Sequence, residues 1–265
     1  MSHYFKKYFI CIGCCLALVA WLGFKPFQSN EQTEDTLIIG LQSGYPPFEF
    51  MDTEGNIIGF DVDLAQSIAN KLGKKLVIKD MEFEGEILSL KQGKIDLILS
   101  GMNITPSRLK EILMVPYHGE ASSSFSLIFW NQIPAAIHSL QDLANIPGAM
   151  VSVEVGTIPE EFLSRHPEIT SKSFQGALAP LMDVKYGKSL ANLVETDVAE
   201  YLKTQHPEIQ ILTVPLPPEE IILGFGIGVK KENQELFQQV DQIIHELKSS
   251  GELQKLEEQW FKGAS

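Results

Sequence analysis

Residues 95–108 read IDLILSGMNITPSR and carry the strongest fold signal in the chain. The apolar run at residues 95–99 predicts a buried strand. Small and polar residues follow it, and Thr105 and Pro106 then form a helix start, a capping residue before a first helical residue. A strand that turns directly into a helix is typical of α/β folds, in which ligands bind beyond the carboxyl ends of the strands.

The segments on either side repeat this alternation. Short apolar runs predict further strands at residues 37–41, 76–78, 125–129, 150–155 and 211–214. Apolar residues at helical spacing predict helices over residues 60–72, 87–91, 160–165, 191–202 and 234–260. Strand and helix patterns in alternation predict an α/β protein with parallel sheets and crossover helices.

The charge balance narrows the choice of partner. The 265 residues carry a formal net charge of −13, and the sequence pI is near 4.9. Nucleic acid is not an expected partner, because phosphate binding needs clustered lysine and arginine. An acidic surface is favourable for solubility in any case, and an acidic cleft also attracts cationic solutes.

Residues 1–30 are predicted to be a signal or targeting segment. Lys6 and Lys7 precede an uncharged apolar run at residues 8–24, a pattern typical of a secretory signal. That run holds all three cysteines of the chain, which are Cys11, Cys14 and Cys15. The exported part therefore has no disulfide and no cysteine metal site. A lipidated cysteine and an uncleaved membrane anchor both stay open as alternatives.

Arg108 is the central candidate for ligand binding. It follows the helix start, where free amide groups and the helix dipole favour an anion. The planar guanidinium matches a carboxylate through two parallel hydrogen bonds. Ser100, Gly101 and Asn103 are small or polar, so backbone groups can approach a ligand closely. The segment therefore predicts a carboxylate site, whereas an isolated arginine would simply be a solvated helix residue.

Two aromatic residues extend this site. Tyr45 lies in a proline-stiffened loop, and Phe83 lies among acids just before a predicted helix. Two aromatic faces could hold a flat side chain such as a guanidinium between them. Glu49, Glu82 and Glu84 add negative charge nearby, and surface exposure is the simplest expectation for these three acids.

Four ordered motifs now identify a resemblance. They are YPPFE at residues 45–49, GFDVDLA at 59–65, GKID at 93–96 and SGMNITPSR at 100–108. From residue 37 to residue 261 the chain resembles the periplasmic polar-amino-acid-binding proteins of ABC importers, solute-binding family 3. The resemblance implies a two-lobed type II periplasmic-binding-protein fold, in which each lobe is a central sheet flanked by helices.

The resemblance also implies how the chain is organised and used. The first lobe is expected at residues 36–122 plus 225–265 and the second at 123–224, with two hinge crossings near 120–124 and 223–226. The lobes would close on an amino acid and deliver it to an ABC permease. We expect a periplasmic monomer without cofactor, metal or catalytic residues.

Individual roles follow from the resemblance, position by position. Arg108 corresponds to the arginine that binds the ligand α-carboxylate, and Thr157 to a second-lobe residue that also meets it. Glu195 stands where the family usually has an aspartate for the ligand ammonium group, and Asp197 is the less favoured alternative. The predicted ligand-binding residues are Gln42, Tyr45, Phe83, Ser100, Gly101, Met102, Asn103, Arg108, Glu154, Thr157 and Glu195.

The aromatic walls and the acidic Glu154 favour L-arginine as ligand, then lysine or ornithine, then glutamine or another polar amino acid. Two other classes stay open. One is a dehydratase of cyclic carboxylic acids, in which Glu154 and Glu195 would act as acid or base. The other is a membrane-anchored amino-acid sensor with the same two-lobed clamp.

Overall fold

The computed structural model describes residues 35–217 and 220–262. The predicted signal segment at residues 1–30, its three cysteines and the alternatives of lipidation or anchoring lie outside the described residues. Within those two ranges, no helix is both long enough and apolar enough to cross a membrane.

The elements alternate as the sequence predicts. The strands are β1 (Thr36–Leu41), β2 (Phe50–Met51), β3 (Ile57–Ile58), β4 (Lys75–Asp80), β5 (Leu97–Ile98), β6 (Leu113–His118), β7 (Ser124–Trp130), β8 (Val151–Glu154), β9 (Ser171–Phe174), β10 (Ala191–Glu195), β11 (Ile209–Pro215) and β12 (Phe225–Val229). The α-helices are α1 (Phe60–Leu72), α2 (Phe83–Lys91), α3 (Pro106–Glu111), α4 (Ile158–Ser164), α5 (Leu178–Lys185), α6 (Thr196–Gln205), α7 (Gln234–Ser250) and α8 (Glu252–Glu257). A 3₁₀ helix spans Leu140–Asn145, and a π-helical turn spans Glu258–Lys262.

These strands form two five-stranded sheets and one small hairpin. The first sheet has the order β4-β1-β5-β12-β6, and the second has the order β11-β7-β10-β8-β9. β2 pairs with β3 in the hairpin. The α/β class with two helix-flanked sheets is confirmed, but purely parallel sheets are not. β12 runs antiparallel to β5 and β6 in the first sheet, and β7 runs antiparallel to β10 and β11 in the second, because the chain enters each of these two strands from the other sheet.

Local sequence signals explain the elements around the strongest segment. Leu37, Ile39 and Leu41 of β1 are buried, as expected for a strand between two parallel neighbours. Thr105 caps α3 by accepting a hydrogen bond from the backbone N–H of Arg108 at 3.1 Å, and Pro106 takes the first helical position. The predicted helix start is therefore confirmed.

The predicted helix over residues 191–202 is wrong in its first half. β10 occupies Ala191–Glu195, and α6 begins only at Thr196. β10 lies between β7 and β8 in the sheet, and α4, α5 and α6 pack against it. The apolar residues of such a covered strand need not alternate, so Ala191, Leu193 and Val194 merge in the sequence with the apolar face of the following helix.

The predicted helix over residues 234–260 is also not continuous. It ends at Gly251, which adopts the left-handed conformation with φ of 77°, and its N–H donates to the carbonyl of Lys248. α8 and the π-helical turn follow as separate pieces. Glycine tolerates this conformation and commonly closes helices, so the break is encoded locally.

The chain crosses between the two sheets twice, from β6 to β7 and from β11 to β12. At these crossings Ser122 and Ile222 exchange two backbone hydrogen bonds of 2.9 Å, so the two connecting segments run side by side. The strands of the first sheet fall within the first predicted lobe and those of the second sheet within the other. The lobe boundaries themselves stay a prediction.

Candidate functional site

A cavity of about 300 Å³ lies where segments from both sheets meet. It contains ten of the eleven residues predicted from sequence, and Glu49 in addition. The lining residues are Gln42, Tyr45, Glu49, Phe83, Ser100, Gly101, Asn103, Arg108, Glu154, Thr157 and Glu195. Three chain segments that leave β1, β5 and β8 at their carboxyl ends supply most of them, which is where α/β sheets bind ligands.

Met102 is the predicted residue that the structure does not place in this lining. Its side chain is buried in an apolar cluster that includes Ile98 and Ile104. Its carbonyl accepts a hydrogen bond from the N–H of Gly226 at 2.8 Å. Gly101 and Asn103 border the cavity, while the Met102 side chain between them packs into the core.

The guanidinium of Arg108 is buried and held by two backbone carbonyl groups. Nη1 donates to the carbonyl of Asn103 at 2.8 Å, and Nη2 donates to the carbonyl of Gly156 at 3.1 Å. Its Cζ lies 5.2 Å from the ring centroid of Phe83. No carboxylate oxygen of the described residues lies within 4.0 Å of it as an ion-pair partner. Since a guanidinium carries five N–H donors, Arg108 retains donors for an anion in the cavity.

Burial lowers the pKa of Arg108, and the nearby carboxyl groups of Glu195 and Glu86 oppose that shift. Arginine keeps its charge in proteins because its pKa starts so high. Arg108 is therefore a buried cation whose charge no adjacent carboxylate neutralises, and this arrangement favours a negatively charged ligand.

Glu195 is the last residue of β10 and faces the cavity. It is 8% exposed and accepts a hydrogen bond from the hydroxyl of Tyr45 at 2.8 Å. Asp197 lies in the first turn of α6 and is exposed. Burial raises the pKa of Glu195, while the Tyr45 hydroxyl and the charge of Arg108 lower it. Of the two acids considered from sequence, Glu195 is the one that lines the cavity.

Gln42 and Glu154 form a contact across the cavity. The Gln42 side-chain oxygen accepts from the N–H of Phe83 at 2.7 Å, and its Nε2 donates to Oε1 of Glu154. The Phe83 N–H thus fixes which end of the amide faces Glu154. The pKa of Glu154 is raised to about 7, mainly by burial; the hydrogen bond from Gln42 opposes this shift, and the charges of Glu195 and Glu82 add to it.

Glu49 is a residue that the sequence expectation placed wrongly. Surface exposure was expected, yet Glu49 is fully buried, lines the cavity, and has no hydrogen-bond partner among the described residues for either oxygen. Burial is the main cause of a pKa far above the usual glutamate range, and Asp61 and Glu86 add to it. Glu82 and Glu84 are exposed, as expected.

Glu86 belongs to the same buried group although no role was assigned to it from sequence. It is fully buried, and burial raises its pKa well above the usual range, while Ser100 and Arg108 oppose the shift. Its position in the sequence indicates burial, because it lies three residues after Phe83 and four before Leu90, on the buried face of α2. Within the described part of the chain, no set of His, Cys, Asp and Glu side chains could hold a metal ion.

Comparison with known proteins gives close relatives. The probable ABC transporter arginine-binding protein ArtJ of Chlamydia trachomatis serovar D is 36% identical over 254 residues, which cover 95% of this chain and 94% of the relative. A mutant of ArgBP from T. maritima superposes with a TM-score of 0.79 at 33% identity, over 87% of this chain and 96% of that one. An ancestral arginine-binding protein bound to arginine gives a TM-score of 0.76 at 31% identity, over 85% and 98%.

These three proteins are named as binding proteins and not as enzymes. The sequence profile of the bacterial extracellular solute-binding proteins, family 3, matches residues 37–263. That match covers most of the chain, and the two-sheet architecture and the position of the cavity agree with it. The chain belongs to the bacterial extracellular solute-binding proteins, family 3.

Proposed function

We propose that this protein captures a polar amino acid, L-arginine in the first place, and delivers it to an ABC permease. The observation that carries the proposal is the pairing of opposite charges in one cavity. Arg108 is a buried cation with free donors, and Glu195 is a buried acid in the same lining. Together they match the α-carboxylate and α-ammonium groups of a zwitterion, which few other small molecules carry side by side.

Each end of the zwitterion has supporting groups. Ser100, Gly101 and Asn103 border the cavity next to Arg108 and can present polar groups to the carboxylate and the ammonium group. Thr157 precedes α4, and its side chain lines the cavity as well. A carboxylate so placed meets a charged donor and a helix start, both of which favour an anion.

The side-chain end of the cavity favours a cation. Tyr45 and Phe83 supply aromatic walls, which attract a planar guanidinium. Glu154 faces the same space, and Gln42 is the only hydrogen-bond partner of its carboxyl group within the described ranges. The relatives named as arginine-binding proteins support the same choice. Lysine or ornithine, and then glutamine, are the next candidates.

Closure of two lobes would couple capture to transport. Three contacts join the predicted lobes across the cavity: Arg108 to Gly156, Gln42 to Glu154 and Tyr45 to Glu195. A ligand shifts the population toward the closed form only through contacts that it makes better there. We propose a monomer in the periplasm whose closed form docks on the permease, with a lipid or uncleaved anchor at its N-terminus as the open alternative.

The proposal is tested by thermal unfolding of the purified protein with each of the common amino acids and ornithine, followed by calorimetry. A ligand present at 1,000 times its Kd stabilises the native state by about 4.1 kcal/mol. We expect arginine to raise the melting temperature most. If no amino acid changes the melting temperature, the binding function is wrong. If a cyclic carboxylic acid is converted rather than released unchanged, the dehydratase alternative is correct.

A further inference from the structure

The side-chain end of the cavity holds an acid without a cationic neighbour. Glu154 ends β8, and the amide of Gln42 is clamped against it by the backbone N–H of Phe83. This amide is a neutral donor, so it can satisfy a carboxylate oxygen without neutralising the charge. Glu154 therefore has a fixed position and an uncompensated charge whenever it is ionised.

The charged and titratable groups around Glu154 are nearly all acidic. They come from the loop after β1, from α2 and the residue before it, from α3, from α4 and from β10. These groups are Tyr45, Glu49, Glu82, Glu84, Glu86, Arg108, Glu160 and Glu195. Arg108 is the one cation among them, and its nearest bonds go to the carbonyl groups of Asn103 and Gly156. β9, which pairs with β8, carries Lys172, whose ammonium group is bound by both carboxylate oxygens of Asp183.

This surrounding explains why Glu154 holds a proton near neutral pH. Burial in the cavity disfavours the ionised form, and the neighbouring acids disfavour it further, which raises the pKa to about 7. An incoming cation reverses this balance, because it places a positive charge beside the carboxyl group of Glu154. The carboxyl group then loses its proton to solvent and becomes a carboxylate, while the ligand keeps its own charge.

We propose that Glu154 is a proton-linked selector of the ligand's side chain. An amino acid with a cationic side chain expels the proton of Glu154 on binding, whereas an amino acid with a neutral side chain binds without expelling it. This inference rests on the proposed function and adds a regulation to the same site. Gln42 acts as the positioning residue, since its fixed amide holds the carboxyl group of Glu154 toward the cavity.

The affinity for arginine should depend on pH through the protonation of Glu154. Below the pKa of Glu154, binding of arginine must displace a proton, so its affinity falls as the pH falls. The affinity for a neutral side chain lacks this dependence, because its amide or urea group can accept a hydrogen bond from the protonated acid and can donate one to the carboxylate. For a free pKa of about 7, the preference for the cation should change about tenfold between pH 8 and pH 6. Other groups that titrate over this range change the affinities for both ligands by the same factor, so their effects cancel in the ratio of the two affinities.

The test compares arginine with citrulline, in which a neutral urea replaces the guanidinium at the same chain length. Isothermal titration calorimetry is run on the full protein from pH 5.5 to pH 8.5 in two buffers of different ionisation enthalpy. The difference between the buffers gives the number of protons released. The variants are Glu154→Gln and, as a matched control, Glu168→Gln, whose carboxylate is exposed, bonds to His166 and does not line the cavity.

We expect wild type and Glu168→Gln to release about half a proton with arginine at pH 7 and close to none with citrulline. In Glu154→Gln, proton release should vanish, and the arginine-to-citrulline ratio should become independent of pH. A wild type that binds arginine with a pH-independent ratio overturns the inference and leaves the proposed function intact. An arginine-to-citrulline ratio that depends on pH in Glu154→Gln as it does in wild type also overturns the inference and leaves the proposed function intact. A wild type that binds neither ligand overturns the proposed function as well. If the Glu154→Gln variant does not fold, the proton release of the wild type, measured with arginine and with citrulline, is sufficient to test the inference.

Discussion

Replacement of Arg108 by alanine removes the group on which the proposed ligand site depends. In the free protein the guanidinium donates to the carbonyl groups of Asn103 and Gly156, and its remaining donors face the cavity. Truncating one partner of a buried, hydrogen-bonded charge pair costs about 2–5 kcal/mol of binding free energy. At about 1.4 kcal/mol for each factor of ten, Kd for arginine should rise roughly 30-fold to 4,000-fold.

Calorimetry of the Arg108→Ala variant with arginine measures this loss, and the melting temperature shows whether the variant is folded. Arg165→Ala is the control, because Arg165 is a partly exposed arginine that pairs with Glu161 and Glu220 away from the cavity. Its affinity for arginine should match wild type. Arg108→Lys keeps the charge but loses the planar fork, so its affinity should fall between the two. An Arg108→Ala variant that binds arginine within about threefold of wild type would refute the carboxylate assignment.

Three further substitutions test the surroundings of the cavity. Gly101→Ala should weaken arginine binding by tenfold or more in calorimetry, because φ is +50° there and a Cβ would lie 2.7 Å from the Tyr45 ring; wild-type affinity would contradict this. Thr105→Ala should lower the free energy of unfolding by about 1 kcal/mol in urea titrations, since it removes the cap of α3; an unchanged midpoint would show that the cap contributes nothing. Burial raises the pKa of Glu49 in the folded state, so wild-type stability should fall as the pH rises from 5 to 8. Glu49→Gln should fall less steeply in thermal melts over that range, and equal slopes would mean that Glu49 does not titrate in the folded protein.

The sequence predicted those parts of the site that depend on neighbours along the chain. The cap at Thr105, the first-turn proline at Pro106 and the end of α1 at Gly73 are short-range signals, and each appears where the sequence places it. The position of Arg108 could be predicted from the same segment, because the residue comes just after a strand end and a helix start. The resemblance then supplied residues far apart in the chain, such as Tyr45 and Glu154, which local patterns alone could not bring together.

The sequence failed where long-range packing decides the outcome. The apolar run of β10 is a strand because β7 and β8 flank it, and the run itself does not reveal those neighbours. Glu49 and Glu86 are acids at positions whose burial depends on the cavity wall, so average exposure misplaces them. Met102 shares a motif with residues that line the cavity, but its side chain packs against Ile98 and Ile104, a contact between side chains that the motif does not reveal.

The choice between Glu195 and Asp197 shows how register can outweigh residue type. A glutamate takes the place where the family usually has an aspartate, so its carboxylate can reach one bond farther from the backbone. β10 ends at Glu195, and the chain then turns into α6, which leaves Asp197 in an exposed first turn. The hydroxyl of Tyr45 donates to Oε2 of Glu195 and fixes the longer side chain at the cavity. Tyr45 therefore acts at both ends of the proposed ligand, because its ring borders the side chain while its hydroxyl holds the acid that would receive the ammonium group.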